Sequence, residues 1–191
     1  MSYNLRGTTQ IFAASGALVS NPTVYANLRM PDTYSAALKY AYNDRWDILG
    51  DFTWTNWSTI KDVAVINVQT FAQVGSTINF QFRDTYRIGV GANYKWDNAL
   101  TVKLGLAVDK SPVTDAVRTT LLPDSDRTWL SFGGKYRFTQ VDTLDFGYAH
   151  IFVKNGSIND LRGLGAGNLG NVSGTYKNKV DIVSIQYTHA F

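Results

Sequence analysis

The sequence contains no cysteine, which excludes thiolate metal sites, thiol nucleophiles and disulfides. No run of eighteen apolar residues occurs, so no transmembrane helix can form. Lys and Arg are scattered singly along the strands, and the formal net charge is only +3. That dispersal excludes a surface able to track a phosphate backbone, so nucleic acid is not an expected partner. The start, Met1-Ser2-Tyr3-Asn4-Leu5-Arg6, has no basic segment followed by an apolar core, and no signal peptide is read there. A fragment lacking its upstream half is expected, in preference to a mature chain with an added Met.

What the sequence does have is aromatic residues and alternation. The 191 residues fit one domain, 14% of them aromatic, with a mean hydropathy of −0.15. In Lys177–Phe191, Val183, Ile185, Tyr187, His189 and Phe191 fall on one face, and Ile182, Ser184, Gln186, Thr188 and Ala190 on the other. Period two is the signature of a strand. An aromatic residue closing a last strand is the form of outer-membrane barrels, where that strand serves as an assembly signal.

Six further segments alternate. Tyr34, Ala36, Leu38, Tyr40 and Tyr42 share a face, as do Trp46, Ile48, Phe52 and Trp54. The same holds for Tyr86 through Trp96, Leu100 through Val108, Leu130 through Phe138, and Leu144 through Phe152. The opposite faces carry Lys39, Asp47, Asp51, Arg87, Lys95, Lys103, Arg127, Lys135, Arg137 and Asp145. No segment keeps a helical period, so the chain reads as all-β. Short connections (Asn43-Asp44, Asp97-Asn98 and 139–142) alternate with long ones (13–21, 58–79, 110–126 and 154–176). Outer-membrane barrels have short periplasmic turns and long extracellular loops. Aromatic residues cluster towards both strand ends around an aliphatic band, the pattern that two membrane interfaces select. A lipocalin-like barrel would place the apolar face inside and could not leave so many charges on the other.

These signs predict an antiparallel up-and-down transmembrane β-barrel domain of about eight strands: 2–12, 22–42, 45–57, 77–96, 98–110, 126–139, 142–154 and 177–191. An even count puts both termini on the periplasmic side of a bacterial outer membrane. Closure by this chain alone requires Lys177–Phe191 to pair with the segment near Tyr3–Phe12, because lipid does not tolerate an open edge.

Several stretches resemble the FadL-type long-chain fatty-acid transporters. They are Phe82-Arg83-Asp84-Thr85-Tyr86-Arg87, Asp109-Lys110-Ser111-Pro112-Val113, Trp54-Thr55-Asn56-Trp57-Ser58, the Met30-Pro31 pair and, most specifically, Leu122-Pro123-Asp124-Ser125-Asp126-Arg127. The resemblance covers the carboxyl-terminal half of a family whose barrel has fourteen strands. It implies passive outer-membrane transport of long-chain fatty acids or other hydrophobic compounds, with no cofactor. The family's amino-terminal hatch and its Asn-Pro-Ala strand interruption have no match here; the one Asn-Pro, Asn21-Pro22, is followed by Thr23. A rival expectation is a truncated or engineered small closed barrel with a structural role and no transport.

Candidate ligand-binding positions follow from face and place. Arg87, Lys103, Arg127, Lys135 and Arg137 line the polar face with Trp129, and Phe71 belongs to the loop 58–79 with Val63, Val65, Ile66 and Val74. An ion-pair ladder across the lumen is the plainer reading for the cations. Expected partners are a hydrophobic ligand, membrane lipids with lipopolysaccharide, and the barrel-assembly machinery, which would read the strand ending in Phe191. His150 and His189 are the only histidines and lie on the apolar face, which suits interfacial residues better than the base of a lipid-modifying enzyme. No metal-ligand spacing or phosphate loop is present, and Gly163–Gly170 reads as a flexible surface loop.

Overall fold

A computed structural model describes residues 2–13, 15–75, 77–160 and 170–191. The expected glycine-rich loop lies outside the described residues except for Gly170. The strands before the first long pairing are Ser2–Thr8 (β1), Ile11–Phe12 (β2), Leu18–Ser20 (β3) and Thr23–Arg29 (β4). Next come Thr33–Ala41 (β5), Trp46–Thr55 (β6), Asp62–Val63 (β7), Val65–Asn67 (β8), Ile78–Asn79 (β9) and Thr85–Lys95 (β10). The rest are Leu100–Asp109 (β11), Arg127–Arg137 (β12), Asp142–Val153 (β13), Gly156–Asp160 (β14), Val172–Tyr176 (β15) and Lys179–His189 (β16).

Seven long strands form one antiparallel sheet in the order β16-β13-β12-β11-β10-β6-β5, so every neighbour in the sheet is also next in sequence among the long strands. The register carries the alternation intact from strand to strand. Trp54 faces Tyr86, Ile88 faces Val108, Leu104 faces Phe132, and Tyr148 faces Val183. One face is therefore predominantly apolar, and it is exposed: Val183 and Ile185 are 80% and 75% accessible. Few apolar side chains are fully buried, among them Ile151 and Ala107 on the other face. A water-soluble sheet would bury this face, whereas lipid takes the place of a partner layer.

The short turns share one design. Asn43, Asp97 and Thr139 each open a turn and accept backbone N–H groups two and three residues on, at 2.7–3.2 Å. In each, the residue before this cap donates its N–H to the carbonyl four residues ahead at 2.9–3.0 Å: Tyr42 to Trp46, Trp96 to Leu100, and Phe138 to Asp142. Side-chain caps of this kind are what Asn, Asp and Thr supply at a turn. The aromatic belts also appear as ring contacts. Trp46–Tyr94 (4.7 Å) and Tyr136–Phe138 (4.9 Å) lie by the short turns, and Tyr34–Trp54 (5.8 Å) lies at the other end.

Two expectations about the amino-terminal part are corrected. The segment 22–42 is not one strand: it breaks at Met30-Pro31-Asp32, where proline offers no N–H to a ladder. Its first part, β4, pairs with β1 and with β8 inside the connection 56–84, forming a separate three-stranded sheet. The strand near Tyr3–Phe12 therefore does not meet Lys177–Phe191. Among the described residues, β16 pairs only with β13, β5 pairs only with β6, and the large sheet is open. With seven strands in that sheet, the chain enters it at the end that carries the long connections. Ser2 faces Arg29, just before that entry, and His189 lies by the short turns.

The long connections are also not bare loops. They hold the short pairs β2–β3, β7–β9 and β14–β15. Strands of two to five residues give too few alternations to stand out in a sequence.

Candidate functional site

The polar face of the sheet carries the cations singled out by alternation. Most of them are paired across strands. Arg87 forms an ion pair with Asp51, whose carboxylate lies over Gly89, where a Cβ would collide with it. Lys103 Nζ is 2.7 Å from Asp145 Oδ1, and Lys135 Nζ is 3.9 Å from Asp145 Oδ2, so two strands share one carboxylate. Lys39 pairs with Asp47 at 3.1 Å. Arg127 lies 3.5 Å from Asp109 and 3.2 Å from Asp124. The ion-pair ladder is real for these residues. Arg137, the last residue of β12, has no ion pair among the described residues.

At the long-connection end the ladder opens into a cavity of about 350 Å³. Arg87 and Arg127 reach it from β10 and β12, and Lys110 from the adjoining connection. Its apolar side is Trp57, Phe82, Pro112 and Leu122. Trp57 and Phe82 meet edge to face at 6.0 Å, and Phe80 continues the aromatic row 5.0 Å from Phe82. A cavity lined by two guanidinium groups and an edge-to-face ring pair can hold an amphiphile whose charged end is anionic.

The cavity is framed by a tightly bonded connection, 110–126. Asp126 accepts from Lys110 Nζ at 2.8 Å, from the Ser111 backbone N–H at 3.0 Å and from Arg83 at 3.0 Å. Burial pushes the Asp126 carboxyl up. The hydrogen bonds from Lys110 and Ser111, with the charges of Lys110 and Arg83, outweigh it and hold the group below its ordinary range. Lys110 is correspondingly raised, chiefly by its hydrogen bond to Asp126. Ser111 is fully buried and donates its hydroxyl to Asp124 at 2.8 Å. Deeper still, buried Arg118 donates to the carbonyls of Asp124 (3.1 Å) and Ser157 (2.5 Å) and to Ser125 Oγ (3.1 Å), and pairs with Asp115. It passes over Gly156, where a Cβ would stand 2.6 Å from its Cζ. Arg118 thus fastens the connection 110–126 to β14.

The sequence-derived candidates divide accordingly. Arg87 and Arg127 are brought together at the cavity. Lys103 and Lys135 converge on Asp145 further along the polar face. Trp129 lies between these levels, facing Ala107 and Ile151, with its indole N–H buried and unbonded among the described residues. Phe71 does not line the cavity: it is 75% exposed, with φ of 56°, at the tip of the 67–72 turn. Lys110, Asp124, Phe82 and Leu122 belong to the stretches that carry the family resemblance, but sequence pattern does not mark them as site residues. Their positions in irregular connections carry no periodicity to place them.

The chain matches the family described as outer membrane protein transport protein (OMPP1/FadL/TodX) over residues 1–191. A putative outer membrane protein of Neisseria meningitidis serogroup B is 31% identical over 186 residues, covering 93% of this chain and 40% of the relative. The long-chain fatty acid transport protein of Escherichia coli K12 is 29% identical over 83% of this chain and 34% of its own length. Among solved structures, a Pseudomonas aeruginosa FadL homologue superposes with a TM-score of 0.77 at 27% identity, over 88% of this chain and 38% of that one. The Pseudomonas putida toluene transporter TodX shares the fold, with a TM-score of 0.58 at 16% identity over all of this chain and 42% of that one. This chain therefore spans about two fifths of the length of these relatives, and its open sheet is part of a barrel wall. The apolar face, the sorted connections and the match over all 191 residues place the chain in the FadL/TodX family of outer-membrane transport proteins.

Proposed function

We propose that this chain forms the carboxyl-terminal part of the wall of an outer-membrane channel for hydrophobic compounds, long-chain fatty acids among them, and that residues 1–191 act as one barrel-forming domain. The cavity at the long-connection end carries this reading, because it joins Arg87 and Arg127 to the Trp57–Phe82 ring pair. A fatty carboxylate would exchange places with Asp51 or Asp109 on the guanidinium groups, while the acyl chain lies against the rings. Movement is passive. Below the cavity Lys103, Lys135 and Trp129, then Arg137 by the short turns, line the onward path. Phe71, exposed on its turn, suits first capture of an apolar molecule.

In this reading the long connections face outward, with the amino-terminal strands β1 and β4 beside them, and Phe191 is periplasmic. The apolar face contacts lipid and lipopolysaccharide. The assembly machinery reads β16. A lipid-modifying enzyme is the weaker reading, since His150 and His189 lie on the lipid-facing side and bond to aspartates. A small self-closed barrel is disfavoured by β1, which pairs with β4 and leaves β16 open.

Binding of labelled oleate and of the matching fatty alcohol to the full-length protein tests the site. Arg87→Ala with Arg127→Ala should weaken oleate at least tenfold and leave the alcohol within about twofold, since a charge-assisted hydrogen bond contributes roughly 1.5–3 kcal/mol. Equal binding of oleate to wild type and variant would remove this site from the mechanism.

A further inference from the structure

The two last strands of the sheet carry the same spaced set of residues. Asp142, Tyr148, His150 and Phe152 recur at identical spacing as Asp181, Tyr187, His189 and Phe191. All eight lie on the apolar face. The two other positions on that face are apolar in both strands: Leu144 and Phe146, then Val183 and Ile185. Every intervening residue on the polar face differs between the two segments.

Antiparallel pairing turns this repeat into two matching clamps. The register sets Asp142 opposite His189 and Asp181 opposite His150. Asp142 Oδ1 accepts from Tyr187 O–H and His189 Nδ1–H, each at 2.6 Å, and Thr139 O–H reaches Oδ2 at 2.6 Å. Asp181 Oδ1 accepts from Tyr148 O–H and His150 Nδ1–H, again each at 2.6 Å. Each imidazole then meets a phenylalanine edge to face, His150 with Phe152 at 4.3 Å and His189 with Phe191 at 4.8 Å. The order aspartate, tyrosine, histidine, phenylalanine is therefore built twice, related by a local two-fold axis near the Phe146–Ile185 pair.

The positions of the clamps match a bilayer. Eight residues at about 3.3 Å each separate them by roughly 26 Å along the strand. At the usual strand tilt this is about 20 Å of depth, and the rings beyond each histidine extend towards the borders of an apolar band about 25 Å tall. An aspartate alone on a lipid-facing surface is strongly unfavourable. Bonded to two donors across the seam it is satisfied, and it can stand where hydrocarbon gives way to headgroups. Lys179, opposite Phe152 at the long-connection end, adds a cation just outside one clamp.

We propose that the two clamps are paired interfacial anchors that stand at the two polar borders of the membrane's hydrocarbon layer. They set the depth of the β13–β16 seam and hold the terminal strand in register. A one-residue slip of β16 would turn its clamp groups to the lumen, and a two-residue slip would part both aspartates from their histidines.

This rests on the membrane reading, so the test separates the two. Residues 1–191 hold no cysteine, so once any cysteine elsewhere in the full-length protein is replaced by serine, single labels are unambiguous. The full-length protein, reconstituted in phosphatidylcholine vesicles, carries one nitroxide at Gln140→Cys, Leu144→Cys, Val183→Cys or Lys179→Cys. Contact with oxygen against contact with a nickel chelate reads the depth. Labels at 144 and 183 should lie in hydrocarbon, and labels at 140 and 179 at headgroup depth. Water contact at 144 and 183 would overturn the membrane reading and the anchors with it. Hydrocarbon at 140 or 179 would overturn the anchors alone. The pair Asp142→Leu with His189→Leu should then shift the bilayer thickness of greatest stability upward by about 5 Å, two residues of tilted strand. A variant weakened equally at every thickness would show a register lock without anchoring, which also overturns the proposal. If this pair does not fold, the labels in unaltered clamps still decide.

Discussion

The two ends of the sheet are built by opposite means. At the short-turn end, three turns repeat one local design, each closed by a side chain two or three residues from the groups it satisfies. At the other end, side chains far apart in sequence hold the connections together: Arg83 reaches Asp126, and Arg118 reaches Ser157. Local caps are redundant and replaceable, whereas the long-range hubs gather many bonds on single residues. The short-turn end should therefore tolerate substitution, and the long-connection end should fail around a few positions.

The largest effect is expected at Arg118. Arg118→Ala strands the Asp124 and Ser157 carbonyls and the Ser125 hydroxyl beneath the surface and empties the space over Gly156. A loss of about 3 kcal/mol is expected, the scale of removing one member of a buried charged network. Limited proteolysis should find new cuts within 110–126 while the sheet stays intact. Unchanged protease resistance would show that the connection is held elsewhere.

A smaller effect is expected at Asp126. Its carboxyl is held below the ordinary range, so its contribution is complete above the unfolded value near 4 and is lost as pH falls through the depressed one. Asp126→Asn should remove roughly 2 kcal/mol at neutral pH and abolish most of the acid sensitivity of this end. Hydrogen exchange at the Ser111 amide, which Asp126 accepts, reads both. Acid sensitivity that survives in the variant would assign it to another group.

The smallest effect is expected at Asp97. Its carboxylate is lowered by the Leu100 and Ala99 N–H groups, so this turn too loosens only in strong acid. Asp97→Asn should be close to neutral, because Asn43 performs the same task one hairpin earlier. Asp97→Ala should speed exchange at Ala99 and Leu100 and leave the Asn43 and Thr139 turns untouched. Spread of the effect to those turns would contradict their independence.

The same contrast explains what the sequence could reveal. Alternation identifies all seven strands of the large sheet, because one face must meet lipid and the other water. The short turns are legible since their caps act within three residues. The pairing of β4 with β1 and β8 is not, because nothing local announces that Pro31 separates two sheets. Face assignment placed Arg87 and Arg127 on the lumen side, yet the partners Asp51 and Asp109 depend on register between strands. The apolar half of the cavity comes from Trp57, Phe82 and Leu122, in stretches without a period. Phe71 reads as an apolar residue of a loop; it is exposed there and does not line the cavity.

The sorted connections also have a kinetic consequence. Hairpins β5–β6, β10–β11 and β12–β13 each close across a few residues, so little chain entropy opposes them and they form early. Strand β16 has no such hairpin partner and must find β13 across the connection 154–178. It therefore pairs after those hairpins have closed. In pulse-labelled exchange the amides of Lys179–His189 should become protected after those of every other long strand.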